Sequence, residues 1–155
     1  MIGFEKNQIG QWKIEQEIMN SNPAYNLLSK NKEIIDFEDI CAEYEESERL
    51  GIVRLFIKKD SRYIGLIDYT LNNPKDQTPW VSLFVIHQRF QGAGYSMSAH
   101  GLLEDVIRRE SHTKLRLAVH QENDQGIKFW NKLGYEPFKE VVYEGRQHCC
   151  LEKFL

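Results

Sequence analysis

The sequence predicts a mixed-sheet α/β (α+β) domain, and three observations carry that prediction. Residues 52–69 read as two short strands around a turn. The run Trp80-Val81-Ser82-Leu83-Phe84-Val85-Ile86 is nearly continuous in apolar residues and stops just before two closely spaced glycines. Beyond the glycines, strand and helix patterns alternate to the C-terminus. The 155 residues suit one domain spanning 1–155, long enough to bury a core without disulfides or metals.

The first fifty residues read as mostly helical and acidic. Asp36 to Glu48 holds seven carboxylates, and Ile40, Cys41 and Tyr44 form its apolar stripe. Such a run is a solvated helix face, or a wall that attracts a cationic acceptor. Ile52–Ile57 and Tyr63–Tyr69 are predicted strands joined at Lys59-Asp60-Ser61, and Asn72 to Asp76 is a second turn. The apolar run 80–86 reads as a central strand buried on both faces. Ala99, Leu102, Leu103, Val106 and Ile107 then recur at helical spacing, which predicts a helix from about Gly94 to Glu110. Leu115, Leu117 and Val119 alternate with Arg116, Ala118 and His120 as a strand. Asn123 or Asp124 can cap a helix carrying Ile127, Trp130 and Leu133, with Gly134 at its stop. Two last strands follow, about Pro137–Tyr143 and Gln147–Phe154.

Composition narrows the function classes. A formal net charge of −3 offers no global basic field, so nucleic acid is not an expected partner. An anionic ligand would have to be met by local geometry. Cys41, Cys149 and Cys150 are odd in number and lack CxxC spacing, which argues against a disulfide framework or a zinc knuckle. The N-terminus has no apolar core of signal-peptide length, and no run approaches ~18 apolar residues. A cytoplasmic, reducing location with no membrane partner is the expectation. The five histidines show no HExxH pairing, and no metal is expected.

Gln91-Gly92-Ala93-Gly94-Tyr95-Ser96 sits between the apolar strand and the helix. The first N–H groups of a helix lack intrahelical partners and lie at the positive end of its dipole, where they can bind an anion. Glycines allow the tight turn and a close approach of phosphate to the backbone. Rival motifs fail on spacing. No GxxxxGK[ST] run exists, Met97 stands where GxGxxG needs its third glycine, and Ser98 replaces the second glycine of GxSxG.

These residues resemble the [QR]-x-x-G-x-[GA] signature of the GNAT superfamily of N-acetyltransferases, with Ser96 in place of the usual final Gly or Ala. Val85-Ile86-His87 resembles the family's V-x-P strand end. Asn123 followed by Phe129-Trp130-Asn131-Lys132-Leu133-Gly134-Tyr135 resembles its N-x(5)-[FL]-[YW]-x-x-x-G-[FY] block. The resemblance covers roughly Gly51 to Leu155. It implies a three-layer domain with a central mixed, mostly antiparallel sheet and helices on both faces. It also implies transfer of acetyl from acetyl-coenzyme A to a primary amine of a small molecule or peptide.

By the same resemblance, the backbone of Phe84, Val85 and Ile86 would pair with the pantetheine arm. The Ile86 N–H would polarise the thioester carbonyl. Gln91, Gly92, Ala93, Gly94, Tyr95, Ser96 and Met97 would hold the pyrophosphate, and Asn123 and Trp130 would border the cofactor. Three positions where members carry an acid or base hold Trp80, Ala118 and Trp130 here. Tyr135 and Tyr143 are then the candidate acids, with His87, His120 and Asp68 as further candidates. Solvent could also carry the protons, since positioning supplies more of the rate than acid–base help does. An inactive acyl-coenzyme A sensor of the same fold is the alternative reading. Edge pairing through the last strands would give a homodimer.

Overall fold

The computed structural model describes residues 1–155. Seven strands form one sheet: β1 Ile2–Lys6, β2 Val53–Lys59, β3 Arg62–Thr70, β4 Trp80–Ile86, β5 Lys114–His120, β6 Glu136–Tyr143 and β7 Arg146–Phe154. Five helices complete the chain: α1 Trp12–Asn20, α2 Pro23–Lys30, α3 Phe37–Leu50, α4 Tyr95–Arg109 and α5 Asp124–Lys132. The sheet order is β1-β2-β3-β4-β5-β7-β6, and every neighbouring pair is antiparallel except β4 with β5.

Side-chain alternation gives the sheet two faces. One buries Phe56, Leu66 and Val85 against Ile18 and Met19 of α1, Ile35, and Ile40 of α3. The other buries Ile57, Ile67, Val81, Leu115, Leu117 and Leu151 against Ala99, Leu103 and Ile107 of α4 and Trp130 of α5. The stripe read from Ala99 to Ile107 is therefore the buried face of α4. Helix α3 starts at a capping box in which Asp36 accepts from Asp39 N–H and Asp39 accepts from Asp36 N–H. It stops at Gly51, whose φ is +69°.

Two expectations needed correction. The residue pattern of the first fifty residues, read as mostly helical, does not locate edge strand β1, although the family resemblance implies a strand there; its five residues Ile-Gly-Phe-Glu-Lys are too short to show a period and are ordered by pairing with β2. The expected two-sided burial of β4 also fails, because Ser82 is exposed and Leu83 and Phe84 are half-buried. β4 is central, but it meets β5 only at Trp80–Arg116 and Val81–Leu117. Beyond that point the strands part, and the apolar run borders an opening.

Candidate active site

The opening has a defined apex and a local cause. Against β3, Asp68 pairs with Leu83 and Tyr69 with Val81, so Ser82 is an extra residue on β4. A bulge of this kind bends and twists its strand. It falls directly after the last β4–β5 pair, and the Ser82 hydroxyl donates to the Asp68 carbonyl at 3.3 Å. At the apex Arg116 donates to Asp76 and Glu152, each at 2.9 Å, and the Trp80 indole donates to Asp76 at 2.9 Å. Trp80 therefore anchors the closed end of the opening.

The exit of β4 is held as firmly. The His87 N–H donates to the Ile64 carbonyl on the β3 side, so by alternation the polar groups of Phe84 and Ile86 point away from β3, into the opening. The Ile86 carbonyl accepts from the side-chain amides of Gln91 at 2.8 Å and Asn22 at 3.1 Å. The Gln91 amide also donates to Asn22 Oδ1 at 2.8 Å. Ser21 Oγ accepts from the Gln88 N–H at 3.0 Å. The α1–α2 junction thus clamps the Ile86–His87 peptide, while the Ile86 N–H, in the preceding peptide, is directed by the pairing of Val85 with Leu66 on β3. Gly65, opposite Ile86 on β3, allows the strands to approach: a Cβ there would lie 2.5 Å from the Val85 carbonyl oxygen. Ser21, Asn22 and Gly65 carry no motif that would have marked them in the sequence.

After the short helical turn Gln88–Phe90, Gly92 (φ +79°) and Gly94 (φ +82°) lead into α4. Nothing lies within 4 Å of a Cβ built at either glycine. The cap residue Gly94 offers no side chain to the helix, and no acidic residue sits in its first turn. The N–H groups of Tyr95, Ser96 and Met97 are left for an anion. Arg62 and Arg89 stand 5.1 and 5.3 Å from the centroid of the Phe90 ring, which adds local positive charge beside the turn. The residues present fit a pyrophosphate group. Ala93 and the residues around it are largely open to solvent. Gln91, in contrast, turns its amide toward Ile86.

Asn123 caps α5, accepting from the Gly126 N–H at 2.9 Å. Gly126 is required by that fold-back, since a Cβ there would meet Asn123 Nδ2 at 2.5 Å. Trp130 is buried, with its ring 5.5 Å from Phe84. Tyr135 is also buried, and its hydroxyl lies 2.7 Å from His100 Nε2. Burial, with the Glu104 charge second, pushes that hydroxyl's pKa up. His100 is fully buried, and its Nδ1 lies 3.2 Å from Glu104 Oε2 without hydrogen-bond geometry. Tyr143, on β6, is exposed and stands 5.9 Å from the His148 ring. Asp68 is buried in an ion triad with Arg54 and Glu15, and burial pushes its carboxyl up to about 7.

Burial pushes His100 down to about 4, against the opposing pull of Glu104. An unfolded histidine titrates near ~6.5, so between these values the unfolded chain binds the extra proton. The contribution of His100 to stability is present above about pH 6.5 and is lost as pH falls toward 4, a loss of up to about 3 kcal/mol. Relative to a His100→Leu variant, the wild-type urea midpoint should fall between pH 7 and pH 5; both proteins share Asp68, whose raised carboxyl acts in the opposite sense over that window. A midpoint difference that does not change with pH would refute this.

Comparison with known proteins agrees with this architecture. The family model described as Acetyltransferase (GNAT) family matches residues 13–135. The chain belongs to the GNAT family of acetyltransferases. It is an acetyl-coenzyme A-dependent N-acetyltransferase of that family. No curated protein sequence matches the chain. Among solved structures, an acetyltransferase from Thermus thermophilus superposes with a TM-score of 0.84 at 17% identity, over 100% of this chain and 97% of that one. The PaiA N-acetyltransferase from Thermoplasma acidophilum, in complex with coenzyme A, gives 0.71 at 17% identity, over 100% and 99%. Spermidine N-acetyltransferase from Vibrio cholerae, in complex with coenzyme A and spermine, gives 0.77 at 14%, over 99% and 95%. At such identities the likeness is one of fold. No helix is long and apolar enough to cross a membrane.

Proposed function

We propose that the chain transfers acetyl from acetyl-coenzyme A to a primary amine of a small molecule or peptide by direct attack, in the opening between β4 and β5. The observation that carries this reading is the backbone of Ile86. Its carbonyl is clamped by Asn22 and Gln91, its N–H is aimed into the opening, and the glycine turn follows directly. When bound, acetyl-coenzyme A supplies an acetyl group already activated as a thioester. The N–H groups of Tyr95, Ser96 and Met97 bind its pyrophosphate, helped by the α4 dipole. Phe84 offers its N–H and carbonyl as a strand edge to the pantetheine amides, and Ile86 offers only its N–H, since its carbonyl is taken by Gln91 and Asn22. The Ile86 N–H donates to the acetyl oxygen as negative charge develops there. A fixed donor of this type contributes roughly 2.7–4 kcal/mol of barrier lowering. Asn123 and Trp130 border the cofactor from α5.

Of the two candidate tyrosines, Tyr143 has the hydroxyl that is open to a substrate, whereas that of Tyr135 is bonded to His100. A thiol with a pKa near ~8.5 leaves readily at neutral pH, so Tyr143 or solvent suffices to protonate it. Calorimetric titration with acetyl-coenzyme A and with coenzyme A should show saturable one-site binding, and a panel of primary amines should release thiol in its presence. Absence of saturable binding at millimolar cofactor would overturn the reading.

A further inference from the structure

We propose that His120, paired with His148, is the base that takes the proton from the acceptor ammonium; this rests on the acetyl-transfer reading above. The placement follows from the strand registers. Leu117 and Val119 bury on the α4–α5 face, so Ala118 and His120 project from the opposite face of β5. On that same face β4 presents Leu83 and Val85, which pack toward the α1–α3 cluster. Beyond the pair Val81–Leu117 the two strands diverge, so His120 stands across the opening from the last residues of β4. The glycine turn and α4 lie on the other face. A cofactor entering from that side leaves the α1–α3 face, and therefore His120, to the acceptor.

His120 does not stand alone. It is the register partner of His148 on β7, and the two ring centroids are 4.1 Å apart. His148 Nδ1 lies 2.9 Å from the Arg146 carbonyl oxygen, which can only accept. In the neutral ring, Nδ1 therefore carries the proton and Nε2 keeps its lone pair. A small polar cavity of about 160 Å³, lined by His120, Gln121, Glu122, Gly145, Arg146 and Gln147, adjoins the pair and gives a proton a way to solvent. The charged and titratable groups around His120 are His148 and Arg146 of β7, Glu122 after β5 and Glu144 in the β6–β7 turn, with Tyr143 of β6 against His148. Burial first, then His148 and Arg146, lower the pKa of His120 against the opposing pull of Glu122 and Glu144. The ring is therefore neutral at pH 7 and able to accept.

The step balances as follows. An alkylammonium gives one N–H proton to His120, which becomes imidazolium. The freed nitrogen lone pair forms the N–C bond to the acetyl carbon while the C–S bond breaks and its electrons leave on sulfur. A second nitrogen proton, relayed through Tyr143 or solvent, neutralises the thiolate, and His120 returns its proton to solvent through the cavity.

The test compares wild type, His120→Gln and His148→Gln with two nucleophiles: the panel amine that wild type acetylates fastest, and hydroxylamine, which is already neutral at pH 7. With the alkylamine, kcat/KM of His120→Gln should fall by about 100-fold at pH 7. The loss should shrink as pH rises to 9, because the amine then deprotonates in solution. With hydroxylamine, measured above its uncatalysed rate, the loss should stay below about threefold, and calorimetric affinity for coenzyme A should not change. His148→Gln should shift the acidic limb of the pH profile with a smaller loss. Equal losses with both nucleophiles, or a His120→Gln pH profile like that of wild type, would overturn the base assignment and leave acetyl transfer standing. A wild type that binds coenzyme A but acetylates neither nucleophile would overturn both.

Discussion

Replacing Arg54 by leucine should destabilise the protein by about 3–5 kcal/mol. Arg54 Nη2 donates to Glu15 at 2.7 Å and Nε donates to Asp68 at 3.1 Å, and the three side chains are only 3–5% exposed. The Tyr44 ring covers the guanidinium at 4.8 Å. Glu15 comes from α1, Arg54 from β2 and Asp68 from β3, so the triad ties one helix layer to the sheet. Leucine would leave two carboxylates buried without a cation. Desolvation, not the lost attraction, sets the size of the effect. Domains of this kind are stable by only about 5–15 kcal/mol, so a fifth or more of the margin is at stake. Urea denaturation should show the midpoint falling at constant slope. Part of the loss should return as pH is lowered toward 5, because buried carboxyls in the variant take up protons. Replacing all three residues with apolar ones of similar volume should be far milder than the single change. A midpoint within ~0.5 kcal/mol of wild type for Arg54→Leu would mean that water reaches the triad.

The second large effect concerns the glycine turn. Gly94→Val should weaken coenzyme A binding by about 100-fold, equivalent to about 2.7 kcal/mol. Two causes act together. The φ of +82° is one that a β-branched residue adopts poorly, at a cost of roughly 1–2 kcal/mol or more. The side chain would also project into the open space beside the turn, since nothing in the protein lies within 4 Å of that position. Gly94→Asn separates the two causes. Asparagine tolerates positive φ, so its melting temperature should stay near wild type, while its side chain still occupies the anion position. Calorimetry and thermal melts on both variants decide the matter. Wild-type affinity in Gly94→Asn would show that the pyrophosphate lies elsewhere.

Gly94 and Arg54 differ in how they could be read. The strand, turn and helix around Gly94 are contiguous in the chain, and each has its own local signal: an apolar run, closely spaced glycines and a 3.6-residue stripe. Arg54 is different. Its neighbours suggest an ordinary outward-facing strand residue, and its partners lie 39 positions before it and 14 after it in sequence. Only the packing of α1 on β2 and β3 encloses it.

The same distinction runs through the active site. The amino-acid sequence by itself determined the family, the order of strands and helices from Gly51 onward, and the glycine turn before α4, because those features are written in local periodicity and in residues with special backbone freedom. It did not determine where β4 parts from β5. That depends on the register of three strands, which places the extra residue Ser82 beside the Asp68 carbonyl. It did not show that Gln91 would turn toward Ile86, a choice made by the approach of Asn22 from a helix junction 69 residues away. His120 and His148, 28 residues apart, became one pair only through the antiparallel register of β5 and β7. Local sequence sets what each segment can form. Which side chains share one small volume is decided by long-range pairing and burial, and the His120–His148 pair belongs to that second layer.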